Sequence, residues 1–376
     1  MDPLDWIERF GADAVRFTLA RGSNPGSDTS ISEEWAAGSR NFCNKLWNAT
    51  RFALLNGATV DGASVDAQTG TNGPFDTDES STRSRPQPGA GLAVADRWIL
   101  SRLSAVIAEV DELLERFEFG KACDALYHFA WDEFCDWYLE LAKVPLAAAQ
   151  ADGATAAEAA AADRTKSVLG FVLDQMLRLL HPVMPFVTDE LWTALTGRDS
   201  VMMAAWPTFA GEDKAAEAEV ASLMRLVTEI RRFRSDQGLR PGQRVPARLV
   251  GVDATPLADH ERSIRSLLRL TDPAAAEDPT ATSDATRGFS ASASLTAEGV
   301  TVELDLAGTV DVAAERARME KDLAVARKEA GQMAAKLGNS GFTDKAPADV
   351  VAKSRQRQAD AEADIARLEA RLASLA

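Results

Sequence analysis

Thirteen consecutive residues, Arg40-Asn41-Phe42-Cys43-Asn44-Lys45-Leu46-Trp47-Asn48-Ala49-Thr50-Arg51-Phe52, hold three cations and three amides. Lys and Arg meet phosphate oxygens, amides meet base edges, and an exposed Phe stacks on a base, so the set suits contact with RNA. A helix would present it. Phe42, Leu46, Ala49 and Ala53 recur three or four apart, and Trp47 and Leu54 widen the apolar stripe. Arg40, Asn44, Lys45, Asn48 and Arg51 fall largely off that stripe. An amphipathic helix with an ordinary solvated face fits the same pattern.

Other chemistries find little support. Cys123 and His128 are five apart, on different helical faces, which excludes an i, i+4 metal pair. His181 precedes Pro182 with no nucleophile or carboxylate pattern beside it, so it reads as a helix-terminal packing residue. No glycine loop sits at a strand–helix junction to cradle phosphate. Cys43, Cys123 and Cys135 are too widely spaced for a disulfide framework or zinc motif, which fits a reducing cytoplasm. No run of about 18 apolar residues is present to span a membrane, and Met1-Asp2-Pro3 opens no signal peptide.

The 376 residues suggest two or three domains, and the net charge of −16 argues against a generally basic coat. The average hides a contrast: residues 313–376 hold 12 Lys+Arg against 10 Asp+Glu, a net of +2, leaving −18 for the rest.

The elements that must carry these groups read as helices. Met1 to about Asn24 reads as one, ended by Asn24-Pro25-Gly26-Ser27, with Ser30 or Ser32 capping the next. Residues 57–91, rich in Ala, Thr, Ser, Asp, Gly and Pro, read as a disordered or weakly ordered insertion. Asp96 caps a helix with Ile99, Leu103, Val106, Val110 and Leu113 inward. Another runs from about Gly120 to Val144, and its aromatics at helical period suit a core better than base-stacking platforms. Gln150 to Ala162 reads as a loop or helix end, Thr165 to Leu180 as a third helix, and Thr188 or Asp189 as the cap after Pro182 and Pro185. Ala215 to Gln237 closes the bundle, its terminal Arg231, Arg232 and Arg234 answering the helix dipole. A strand at Val245 to Val252, a helix at Leu257 to Leu270 and strands at Phe289 to Leu295 and Val300 to Leu306 make a small α+β unit.

At the end, Met319, Leu323, Ala326, Ala330, Met333 and Leu337 alternate steps of four and three, and Ala361, Ile365, Leu368, Leu372 and Leu375 do the same. Two heptad seams around Gly338-Asn339-Ser340-Gly341 predict an antiparallel hairpin about 40 Å long; a dimerisation coiled coil fits equally.

The 40–52 string resembles the first helix of the anticodon-binding domain of valyl-tRNA synthetase, a class I aminoacyl-tRNA synthetase. Asp2 to Phe17 resembles the segment after that family's K-M-S-K-S loop. Leu180 to Trp192 is similar to L-H-P-x-M-P-F-x-T-E-E-L-W, with Asp189 where Glu is usual, and Ser200 to Pro207 to S-I-M-x-x-x-W-P. Ile230 to Pro241 resembles I-R-x-x-R-x-x-x-x-x-x-P, and Asn339 to Pro347 the N-x-x-F-x-x-K-A-P turn of the family's C-terminal arm.

The resemblance implies a mainly α fold: a connector at 1–30 following an absent catalytic domain, an anticodon-binding helical bundle at 31–240, a small α+β junction at 241–312 and a C-terminal antiparallel coiled-coil arm at 313–376. It implies a cytoplasmic, monomeric C-terminal portion whose partners are valine-accepting tRNA and the missing catalytic portion. The family uses ATP and Mg, but H-I-G-H and K-M-S-K-S are absent here, so no catalytic residue or cofactor is expected in this chain. The candidate tRNA contacts are Arg40, Lys45, Asn48, Arg51 and Phe52 for the anticodon stem-loop, Arg231 and Arg234 beyond the bundle, and Lys336, Phe342, Lys345, Lys353, Arg355 and Arg357 on the arm, which in the family meets the tRNA elbow. An interaction scaffold without RNA is the competing class.

Overall fold

The computed structural model describes residues 3–23, 31–58, 60, 91–273, 289–306, 312–338, 341 and 348–374; almost all of the 57–91 insertion lies outside them. The fold is mainly α with one small mixed sheet. It forms two compact units, Met1–Val227 with Asp253–Leu267 and Thr228–Val252 with Leu268–Ala376.

The first unit is a bundle of α1 (Pro3–Phe10), α2 (Ala12–Arg21), α3 (Glu33–Leu55), α4 (Val94–Glu115), α5 (Phe119–His128), α6 (Leu139–Gln150), α7 (Ala156–Leu180), α8 (Pro185–Thr196), most of α9 (Lys214–Asp236) and α10 (Glu261–Leu268). The helix expected from Met1 to Asn24 is two, because Gly11 adopts φ 91°, which breaks the ladder. Ser32 caps α3, its hydroxyl accepting from Trp35 N. Of the loop or helix end expected at Gln150–Ala162, only a short turn is loop: α6 ends at Gln150, Thr155 and Glu158 form a reciprocal capping box, and the alanines that follow begin α7.

Two expected caps fall elsewhere. Asp96 lies in the first turn of α4, where its buried carboxylate accepts from the Tyr138 hydroxyl at 2.7 Å and the Thr165 hydroxyl at 3.0 Å. At α8 neither Thr188 nor Asp189 caps. Asp13 of α2 instead takes the Phe186 and Val187 amides at 3.2 and 2.6 Å, while Asp189 accepts from Ser200 Oγ and Val201 N. Buried Asp174 joins α7 to α8, accepting the Trp192 indole N–H at 2.6 Å and Arg178 Nε at 3.0 Å.

Between α5 and α6 the chain winds as a π-helix, Phe129–Tyr138. Its wider turn puts residues five apart in line, so both Phe129 and Phe134 are fully buried. Of the six aromatics from Tyr127 to Tyr138, Phe129, Phe134 and Tyr138 enter the core, and Trp137 is half-buried. Tyr127 and Trp131 remain half-buried, stacked at 5.6 Å, and the column continues through Phe42 to Phe17.

The second unit begins in the last turns of α9 and contains a sheet of order β2-β1-β4-β3: β1 (Val245–Val250), β2 (Leu270–Thr271), β3 (Ala293–Ala297) and β4 (Val300–Leu304). β1 pairs parallel with β2 and antiparallel with β4; β3 and β4 form a hairpin through Glu298-Gly299, both at positive φ. Val245, Ala247, Val300, Val302 and Leu304 bury one face.

Two long helices follow, α11 (Val312–Leu337) and α12 (Ala348–Ser374), packed on each other. Met319 and Leu323 pack with Leu368, Ile365 and Leu372, and Arg327 pairs with Glu369 at 2.6 Å across the helices. Every described member of the expected seam is buried or half-buried. Val351 extends it on α12 together with two polar residues, Ser354 and Gln358, the Ser354 hydroxyl satisfied by Val350 O.

Candidate nucleic-acid interface

α3 buries Phe42, Leu46, Ala49, Thr50 and Ala53 against α2 and the π-helix. Its opposite side exposes Arg40, Asn44, Trp47, Asn48, Arg51 and Leu55, at steps of four, three, one, three and four. The stripe is thus narrower than expected: Trp47 is 47% and Leu54 40% exposed, and the helical angle puts Trp47 about 100° from Leu46, out of the core. Thr50 takes an inward place instead. An indole in solvent, bracketed by two carboxamides and a guanidinium, presents a stacking face beside donors for base edges and phosphate.

The other residues singled out in this helix differ in availability. Arg51 is exposed with no ion-pair partner among the described residues, and Arg40 is exposed with its guanidinium 5.9 Å from the Phe10 ring. Lys45 is committed to the protein: Nζ donates to Asp136 at 2.6 Å and lies 4.8 Å from the Trp131 ring. Phe52 is half-buried, with Lys143 Nζ 5.7 Å from its ring. Arg21, paired to Asp124 at 2.6 Å, covers Tyr127 as Lys45 covers Trp131, so the half-buried outer pair of the aromatic column is capped by cations of α2 and α3.

Beyond the bundle, Arg231 is exposed, but Arg234 is only 5% exposed and donates from Nη2 to Gln243 O at 2.7 Å. Its place is under the turn that follows α9, away from a surface phosphate. On the arm Lys336, Lys353, Arg355 and Arg357 are exposed; Phe342 and Lys345 lie outside the described residues.

The cysteines are poor nucleophiles: burial pushes the thiols of Cys43, Cys123 and Cys135 up to about 12. No group of three His, Cys, Asp or Glu side chains gathers as a metal site among the described residues, nor is any described helix long and apolar enough to cross a membrane.

Comparison with known proteins gives these surfaces a class. Residues 96–249 match the family described as the anticodon-binding domain of tRNA ligase, and residues 311–376 the valyl tRNA synthetase tRNA binding arm. A helical bundle of the first kind followed by a hairpin of the second defines part of an aminoacyl-tRNA synthetase. The chain is 52% identical over 375 residues to the valine–tRNA ligase of Streptomyces avermitilis, covering 99% of this chain and 38% of that protein. It is 52% identical over 377 residues to that of Nocardia farcinica and 48% identical over 377 to that of Mycobacterium tuberculosis, covering in each case 100% of this chain and 38% of the relative. Within the class the chain belongs to the valyl-tRNA synthetase family and corresponds to its C-terminal portion. It spans well under half the length of these relatives.

Proposed function

We propose that this chain docks tRNA for the attachment of valine, gripping the anticodon stem-loop with the outer side of α3 and the elbow with the α11–α12 arm. The observation that carries the reading is the exposed row Arg40, Asn44, Trp47, Asn48 and Arg51 in a helix whose other side is fully committed to the core. Trp47 stacks on an anticodon-loop base, Asn44 and Asn48 reach base edges, and Arg40 and Arg51 meet phosphates. Phe52 flanks them.

Charge distribution supports the arm. Its outer half, residues 328–357, carries six Lys+Arg against three Asp+Glu, whereas its root, residues 313–327 and 358–376, carries six against seven. Positive charge therefore gathers toward the far end, where Lys336, Lys353, Arg355 and Arg357 are exposed. The apolar seam is consumed within the hairpin, which favours a monomer over a coiled-coil dimer.

The chemistry of valine activation, with its ATP and magnesium, is assigned to the catalytic portion of the ligase in the cytoplasm; this chain alone is inactive in that reaction. Trp47→Ala is expected to weaken binding of a valine-accepting transcript about ten- to hundredfold, the worth of one base stack. Arg51→Ala is expected to lower the salt slope of binding by about one unit. Unchanged binding in both folded variants would defeat the α3 assignment, and self-association without RNA binding would favour a scaffold.

A further inference from the structure

The segment Thr228–Val252 holds six arginines against Glu229 and Asp236, a net of +4 in a chain of −16. It is the most basic stretch of comparable length outside the arm; it belongs to neither α3 nor the arm, and of its arginines only Arg231 and Arg234 are among the contacts expected from the sequence. One of its two acids is already answered, Asp236 pairing with Arg367 at 2.9 Å.

Its local structure is a built turn. Gly238 at φ 77° ends α9, and the Leu239 amide donates back to Arg234 O at 3.0 Å. Arg240 O then accepts from Gln243 N at 3.0 Å, while Gln243 Oε1 accepts from Arg240 N at 3.2 Å, closing a turn over Pro241 and Gly242. Such closure holds Arg240 and Gln243 within about 7 Å, and Arg244 follows directly, so two exposed arginines border the turn. Neither guanidinium has a carboxylate partner among the described residues. Beneath the turn, Arg234 donates from Nη2 to Gln243 O, while its buried Nη1 has no hydrogen-bond partner among the described residues. A buried guanidinium without a counter-ion is costly, and burial lowers its pKa. An anion arriving over the turn would offset that cost.

We propose that the turn Arg240–Gln243 and its flanks form a phosphodiester site for the tRNA backbone, a third contact in which Arg240 and Arg244 meet phosphate oxygens and Arg234 is the positioning residue. The proposal rests on the tRNA-docking reading. RNA is the occupant because the local charge is of the sign opposite to the rest of the chain and the site belongs to a unit that also carries the tRNA-binding arm.

The test is binding of a valine-accepting transcript to the full 376-residue chain as a function of salt. Each phosphate contact contributes about 0.7–0.9 to the log–log slope, so R240A/R244A is expected to lower it by about 1.5. With convergence near 1 M salt, that corresponds to about 30-fold weaker binding at 0.1 M, with unchanged thermal unfolding. Equal slopes for wild type and double variant would overturn this site while leaving the docking reading intact. Failure of the folded wild type to bind at low salt would overturn the docking reading, and this site with it. Arg234→Gln is expected to reduce the slope alone, to add nothing in the R240A/R244A background, and to be rescued in part by Arg234→Lys. A full additional loss in that background would overturn the positioning role.

Discussion

Removing the charge of Asp96 should reverse part of the bundle's dependence on pH. The carboxyl is 2% exposed, and burial pushes it up from an ordinary 3.8 to about 6, with the hydrogen bonds from Tyr138 and Thr165 pulling the other way. The folded chain therefore holds this proton more tightly than the unfolded chain does. Its stabilising contribution is complete below about pH 4 and is lost as pH rises through about 6. The raised value corresponds to about 3 kcal/mol of stability lost across that window. Asp96→Asn keeps an oxygen acceptor and gives up the charge, and a hydroxyl of Tyr138 or Thr165 can turn to accept from its amide. The stability of the Asn variant relative to wild type should thus rise by about 2 kcal/mol between pH 4 and pH 8. All eight tryptophans lie within Met1–Val227, so urea unfolding followed by their fluorescence reports on this unit alone. Other titrating groups cancel in the difference between variants. A difference constant within about 0.5 kcal/mol over that range would refute the reasoning.

Asp13→Ala strips both acceptors from the N-terminus of α8 and should destabilise the same unit by about 2 kcal/mol in urea unfolding, with Asp13→Asn recovering part of it. Asp136→Asn releases Lys45, and if the ammonium then reaches a phosphate the salt slope of tRNA binding should rise by about one unit; a slope that stays put assigns Lys45 to the fold. Leu368→Ala opens the cluster with Met319 and Leu323, and hydrogen exchange should quicken in α11 and α12 together, by roughly the factor that 2 kcal/mol implies, while α3 stays protected.

The sequence made some of this visible for identifiable reasons. Phe42, Leu46, Ala49 and Ala53 recur at one helical period, and their burial follows from that spacing. The arm seam from Met319 to Leu337 was equally readable. Trp47 was not, because an indole counts as apolar in any pattern whichever way it points, and only the inward Thr50 shows how narrow the stripe is. Ser354 and Gln358 hid in the return seam for the converse reason. The cap that Asp13 supplies is 173 residues from Phe186, beyond any local rule. The π-helical turn shifts the inward set of Phe129–Tyr138 without a sequence signature. The basic stretch at Thr228–Val252 was open to simple counting, yet it disappears when averaged with an acidic bundle.

Backbone-cleavage footprinting of a valine-accepting transcript bound to the whole chain at low salt tests the docking account most directly. It should show separated protections at the anticodon stem-loop and at the elbow, with the first weakened selectively by Trp47→Ala. Diffuse protection along the transcript, or none from chain that is demonstrably folded, would contradict it.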